Sequence, residues 1–202
     1  MGRPIRAPEA PESIGEMRMK KNVCLLVADG SEEMEVVITA DVLRRAGIGV
    51  FLAGVGESRL LTASRGVRLA PDGAWDPAEA QRFDALIIPG GIGGSQTMRA
   101  DESIRQVLRE FVAAGKLVAA ICAGPTVLQD AGVLASRTYT SHPNSREELV
   151  AGTWVDKPVV VDGTIVTSQA PGTAIAFGLQ LIEQLDSAEE ADRVAAGLCV
   201  ER

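Results

Sequence analysis

Cys122 is the residue around which a nucleophilic site can be built. It follows five apolar residues, Leu117-Val118-Ala119-Ala120-Ile121, and precedes two small ones and a proline, Ala123-Gly124-Pro125. The apolar run reads as a strand buried on both faces, as central parallel strands are. Pro125 opens an apolar helical run through Val127, Leu128 and Ala131, because a first-turn N–H has no helical partner to lose. A cysteine in a sharp strand-to-helix turn has the form of a nucleophile elbow, with sulfur in place of serine oxygen. The carboxyl end of a sheet and the positive end of a helix dipole both favour a thiolate there. The plainer alternative is a small buried hydrophobe, the usual state of a free cysteine.

Three further candidates follow apolar runs in the same way. Glu35 falls in the first or second turn of a helix that begins after Asp29-Gly30-Ser31. Beside a thiolate such a carboxyl is partly desolvated, its pKa is raised, and it can stay protonated and donate to sulfur. Acids in a first helical turn otherwise complement the dipole, the role expected of Glu32 and Glu33. Gly91, in Gly90-Gly91-Ile92-Gly93-Gly94, can bring its N–H against a substrate oxygen as an oxyanion donor, or can simply turn the chain at positive φ. Neither dinucleotide nor P-loop spacing is present in that cluster. His142, the only histidine, stands before Pro143 and is either a solvated loop residue or a proton carrier. Arg45 and Arg65 could attract an anion or be plain surface charge.

The elements that would position these residues alternate. Val23 to Ala28 is a buried strand, and a helix through Val37, Ile38, Val42 and Leu43 stops near Gly47. Val50 to Ala53 is a second strand, and Leu60–Thr62 with Val67–Leu69 a short hairpin bent at Ser64-Arg65-Gly66. Asp76-Pro77-Ala78 starts a brief helical turn. Ala85 to Ile88 is a strand ending at Pro89-Gly90-Gly91, and Glu102 to Ala114 an amphipathic helix closed by Gly115. Tyr139 to Ser141 reads as a strand. Val159–Val161 and Ile165–Thr167 flank the hairpin turn Asp162-Gly163. Pro171 to Leu185 and Glu189 to Leu198 are helices. This order predicts a doubly wound α/β fold, a parallel sheet with helices on both faces, whose ligands sit outside the carboxyl ends of the strands.

Composition narrows the function classes. At 202 residues the chain suits one sizeable domain, 21–202, behind an extension over 1–20 that lacks a periodic apolar face and is expected to be disordered. Met17 and Met19 stand as alternative translation starts. A net charge of −7, with no basic cluster, argues against nucleic acid. Cysteines at 24, 122 and 199 have no metal spacing and no even count, so neither a zinc site nor a disulfide framework is expected. No secretory signal and no membrane span are read, and the cytoplasm is the natural compartment.

Five segments together carry a resemblance. They are Gly30-Ser31-Glu32-Glu33-Met34-Glu35, Ser64-Arg65-Gly66-Val67, Leu86-Ile87-Ile88-Pro89-Gly90-Gly91, Ala119-Ala120-Ile121-Cys122-Ala123-Gly124-Pro125 and Thr167-Ser168-Gln169-Ala170-Pro171-Gly172-Thr173-Ala174. In this order and spacing, over roughly residues 21 to 200, the chain resembles the ThiJ/PfpI superfamily. Within it the likeness is to the branch of the Parkinsonism-associated DJ-one protein and its bacterial chaperone-like relatives.

The resemblance implies a flavodoxin-like homodimer without a cofactor or metal. It places the reactive, oxidisable cysteine on Cys122, its protonated glutamate on Glu35, and the oxyanion donors on the backbone of Gly91 and Ala123. A histidine assisting proton transfer falls on His142, and the pocket would include Gly90, Arg45 and Arg65. The implied activity is a glyoxalase or deglycase acting on small 2-oxoaldehydes or glycated protein. A redox-responsive chaperone or sensor is the alternative, with a peptidase or amidase third. PfpI-type proteases carry histidine directly after the cysteine, and here that position is Ala123, which disfavours a protease triad. The branch's further interface cysteines correspond to Ala63 and Ala70, so a redox role would rest on Cys122 alone.

Overall fold

The computed structural model describes residues 21–56 and 59–202, so the expectations for the extension and its alternative start sites lie outside the described residues. In chain order the elements are β1 (Asn22–Val27), α1 (Glu33–Arg45), β2 (Gly49–Gly54), β3 (Leu61–Thr62), β4 (Arg68–Leu69), β5 (Gly73–Ala74) and β6 (Ala85–Ile88). There follow α2 (Ile92–Ala100), α3 (Glu102–Ala113), β7 (Leu117–Ile121), α4 (Pro125–Asp130), β8 (Thr138–Tyr139) and β9 (Thr153–Trp154). The chain closes with β10 (Val159–Asp162), β11 (Ile165–Ser168), α5 (Ala174–Leu185) and α6 (Ala188–Gly197). Short 3₁₀ turns at Pro77–Arg82, Pro143–Glu148 and Pro171–Thr173 each open on proline.

Seven strands form one sheet in the order β10-β11-β7-β6-β1-β2-β5, parallel throughout except for the β10–β11 hairpin. The parallel strands thus run β5-β2-β1-β6-β7-β11, and within them β2-β1-β6-β7-β11 is the flavodoxin-like doubly wound order with its switch point between β1 and β6. Period-two alternation divides the core. Val23, Leu25 and Val27 face α1, α5 and α6, while Cys24, Leu26 and Ala28 face α2, α3 and α4. Both faces are therefore dry, which is why the strands read as continuous apolar runs. Ala85–Ile88 and Leu117–Ile121 are buried at every position.

Several expectations need correction. No helix is expected between Gly91 and Glu102, but α2 starts at Ile92, with Gly91 at φ 87 as its cap. Gly94 inside α2 is explained by tertiary packing: a Cβ on it would lie 2.5 Å from Ser31 Oγ. The two-residue strands β5, β8 and β9 carry no periodic signal, and the strand expected over Tyr139–Ser141 is Thr138–Tyr139. The helix expected from Pro171 begins as a 3₁₀ turn and becomes α-helical at Ala174.

Candidate active site

The loops after β1, β6 and β7 meet at the switch point, and their meeting builds the site. Cys122 follows β7 with φ 64, left-handed backbone adopted by a residue that carries a Cβ. The strain is held from both sides. Its N–H donates to the Ser168 carbonyl at 3.0 Å, and its own carbonyl accepts from the His142 N–H at 2.9 Å. The elbow geometry is thus present and its backbone cannot swing.

Glu35 is wholly buried in the first turn of α1, and its Oε2 accepts from the Gly90 N–H at 2.6 Å. Its Oε1 has no hydrogen-bond partner of its own, and Cys122 is the side chain that bonds with the carboxyl. Burial pushes the Glu35 pKa up to about 7, against the hydrogen bonds of Cys122 and Gly90, while the Glu32 charge adds to the rise.

The thiol behaves otherwise than the elbow alone suggests. Burial first, then the Glu35 charge and its hydrogen bond, push Cys122 up to about 12, while the N–H groups of Gly91 and Ala123 pull it down. Two of the three upward causes vanish once Glu35 carries a proton, since a neutral acid repels nothing and donates to sulfur. The two groups therefore hold their protons as a pair, and the thiolate is available only with Glu35 protonated. The six-residue α4 leaves the dipole too small to reverse the effect of burial.

These groups open into a crevice of about 630 Å³ lined by Cys122, Ala123, Gly91, Glu32, Arg65 and His142, among others. His142 caps the 3₁₀ turn that follows it, its Nδ1 accepting from the Asn144 N–H at 3.2 Å. Arg65 lies on the β3–β4 turn, which α1 holds in place. Glu33 accepts from the N–H groups of Arg65 and Val67, and the Ser64 hydroxyl lies 2.5 Å from Glu32 and 2.9 Å from Glu33. Burial pushes Glu33 upward, yet those donors hold it below the usual carboxylate range. Glu32 and Glu33 are therefore loop clamps rather than mere dipole complements. A comparable hollow beside Pro71 and Gly73 carries no nucleophile.

Of the expected residues, Cys122, Glu35, Gly90, Gly91, Ala123, Arg65 and His142 come together. Arg45 does not. It sits ten residues along α1 from Glu35, roughly 15 Å at 1.5 Å per residue, and pairs with Asp41 at 2.6 Å. Its expected place in the pocket is corrected for the single chain. Ser64, Ser168 and Asn144 went unassigned, because their parts are played through a turn and two backbone groups that no local pattern marks.

Comparison with known proteins agrees with this geometry. Residues 21–184 match the model of the DJ-1/PfpI family. The chain is 42% identical over 184 residues to Protein dj-1beta of Drosophila melanogaster, covering 90% of this chain and 98% of that one. It is 36% identical over 183 residues to the glutathione-independent glyoxalase DJR-1.2 of Caenorhabditis elegans, covering 90% and 97%. The Drosophila DJ-1beta crystal structure superposes with a TM-score of 0.88 over 91% of this chain and 100% of that chain. Family model, sequence relatives and superposed structure all span the residues that build the crevice, and the chain belongs to the DJ-1/PfpI family.

Proposed function

We propose that this protein is a cofactor-independent glyoxalase that converts methylglyoxal-type 2-oxoaldehydes to hydroxy acids through a thiohemiacetal on Cys122. The observation that carries the reading is the pairing of Cys122 with a buried carboxyl whose pKa lies near neutrality, under two backbone N–H donors. A relative named a glutathione-independent glyoxalase supports it.

The steps balance with water as the only co-reactant. The Cys122 sulfur bonds to the aldehyde carbon, and the oxyanion formed accepts from Gly91 and Ala123 before taking the Glu35 proton. The carboxylate then removes the proton from the aldehyde carbon, giving an enediolate, and returns it to the neighbouring carbon, while the proton of the first hydroxyl passes to the second oxygen, leaving a thioester. Water cleaves the thioester, releasing the hydroxy acid and restoring the thiol. Release of aldehyde already bound to a protein, a deglycase activity, would use the same sulfur. The free thiol this needs is what a reducing cytoplasm maintains.

The test is lactate production from methylglyoxal without glutathione, with wild type beside Cys122→Ala. A loss on the order of 10³-fold or more is expected, as for removal of a nucleophile. A wild type no faster than the variant would sink the reading. A redox sensor or stress chaperone is then favoured by the same donors, since Gly91, Ala123 and a protonated Glu35 also suit the oxygens of a peroxide-generated sulfinate.

The reading includes a homodimer. Met34 and Val37 on α1 and Val67 beside the β3–β4 turn are about half exposed, and Glu33 ties these two elements together at the crevice mouth. Exposed apolar residues grouped this way suit an isologous contact with a second copy. Sedimentation is expected to give twice the chain mass, and Val37→Glu to halve it. A monomeric wild type at micromolar concentration would contradict the dimer.

A further inference from the structure

The glyoxalase reading leaves open which groups accept protons and which only donate, and the His142 ring bears on that choice. His142 is held at three points. Its N–H donates to the Cys122 carbonyl at 2.9 Å, its carbonyl accepts from the Ser145 N–H at 2.9 Å, and its Nδ1 accepts from the Asn144 N–H at 3.2 Å. The last contact decides the chemistry. A backbone N–H cannot act as an acceptor, so Nδ1 must present a lone pair to it. The single hydrogen of a neutral imidazole then resides on Nε2. Nε2 has no partner among the described residues, and the residue lines the crevice beside Cys122 and Ala123.

We propose that His142 serves the crevice as a fixed Nε2–H donor to the substrate's second carbonyl oxygen, and not as the base that moves the carbon-bound proton. This rests on the glyoxalase reading. To act as a base, Nε2 needs a lone pair, which puts the ring hydrogen on Nδ1 against the Asn144 N–H and breaks the cap of the 3₁₀ turn. As a donor the imidazole keeps its hydrogen throughout. It stabilises the charge that gathers on the second oxygen as the enediolate forms. The carbon-bound proton travels only by way of Glu35, and the proton of the first hydroxyl passes to the second oxygen as the thioester forms. The inference thereby assigns a polar orientation to the substrate. The aldehyde oxygen lies under Gly91 and Ala123, and the ketone oxygen faces Nε2.

A chain with one histidine makes the test direct. In tag-free protein labelled with nitrogen-15 at histidine, the resting spectrum of the neutral ring should show a protonated Nε2 and an unprotonated Nδ1. The reverse pattern, or averaging of the two tautomers, overturns the proposal whatever the activity. Lactate production then tests the role with two replacements. The Gln amide can reach the Nε2 position and the Asn oxygen the Nδ1 position. His142→Gln should stay within about tenfold of wild-type kcat/KM, while His142→Asn keeps the cap and falls about 10²-fold, the usual cost of one oxyanion donor. Asn equal to or better than Gln would also overturn it. A wild type that makes no lactate sinks the glyoxalase reading, while the nitrogen spectrum still decides the tautomer.

Discussion

Glu35→Gln is expected to inactivate the protein and, at pH 8, to make it more stable than wild type. Glu35 is fully buried, and burial raises its pKa from 4.5 to about 7. Between those values the native state binds a proton that the unfolded chain releases, so stability falls as pH rises. The contribution is complete below about pH 4.5 and lost once pH passes 7, roughly 3 kcal/mol in all at 1.36 kcal/mol per unit. Glutamine stays neutral, offers an oxygen to the Gly90 N–H, and places an amide where the acid's hydroxyl would face sulfur. Carboxylates held low, such as Asp84 and Asp162, act with the opposite sign at acid pH and cancel between the two proteins. Urea denaturation of both from pH 4.5 to 8 should therefore give curves that separate by about 3 kcal/mol as pH rises. Parallel curves would mean that Glu35 is ionised throughout. Catalysis should drop by about 10² to 10⁴, because an amide cannot ferry a proton between carbons. The stability gained and the activity lost have one cause, a carboxyl kept where its charge is costly.

The carboxyl and its neighbour Cys122 could be suspected from their places after β1 and β7, but the Gly90 N–H that holds the carboxyl could not. Strands β6 and β7 are legible to the residue, because burial on both faces leaves unbroken apolar runs with turn residues at each end. Helix α2 is not, since Gly93 and Gly94 depress helix propensity, and Gly94 is required by the approach of Ser31, far away in sequence. For Cys122 the local argument is incomplete. A turn into a helix suggests a stabilised thiolate, whereas packing buries the sulfur against an acid and raises its pKa. Arg45 shows the same limit, for helix spacing alone carries it out of reach of the crevice. Local chemistry identifies which residues could react, and tertiary packing sets the protonation state in which they do.

Gly90→Ala should silence the site without replacing any group that reacts. A Cβ on Gly90 would lie 2.5 Å from Cys122 Cβ, 2.7 Å from Glu35 Oε2 and 2.9 Å from Ala123 N. None of these neighbours can give way cheaply. The Cys122 backbone is pinned to Ser168 and His142, Ala123 N is main chain, and Glu35 is tied to Gly90 itself. Overpacking of this kind costs about 1–3 kcal/mol. The loss in rate should be larger, since moving a positioned group by about 1 Å can cost 10²-fold. Gly197→Ala is the control, for nothing lies within 4 Å of its added carbon. Lactate production and the rate of Cys122 alkylation by iodoacetamide would be measured for both variants beside wild type. Gly90→Ala should lose both activities by about 10²-fold, while Gly197→Ala matches wild type. If Gly90→Ala kept full turnover, sulfur, carboxyl and oxyanion donors would not need the contact distances at which this fold holds them, and the pairing of Cys122 with Glu35 would lose its claim to be the catalytic unit.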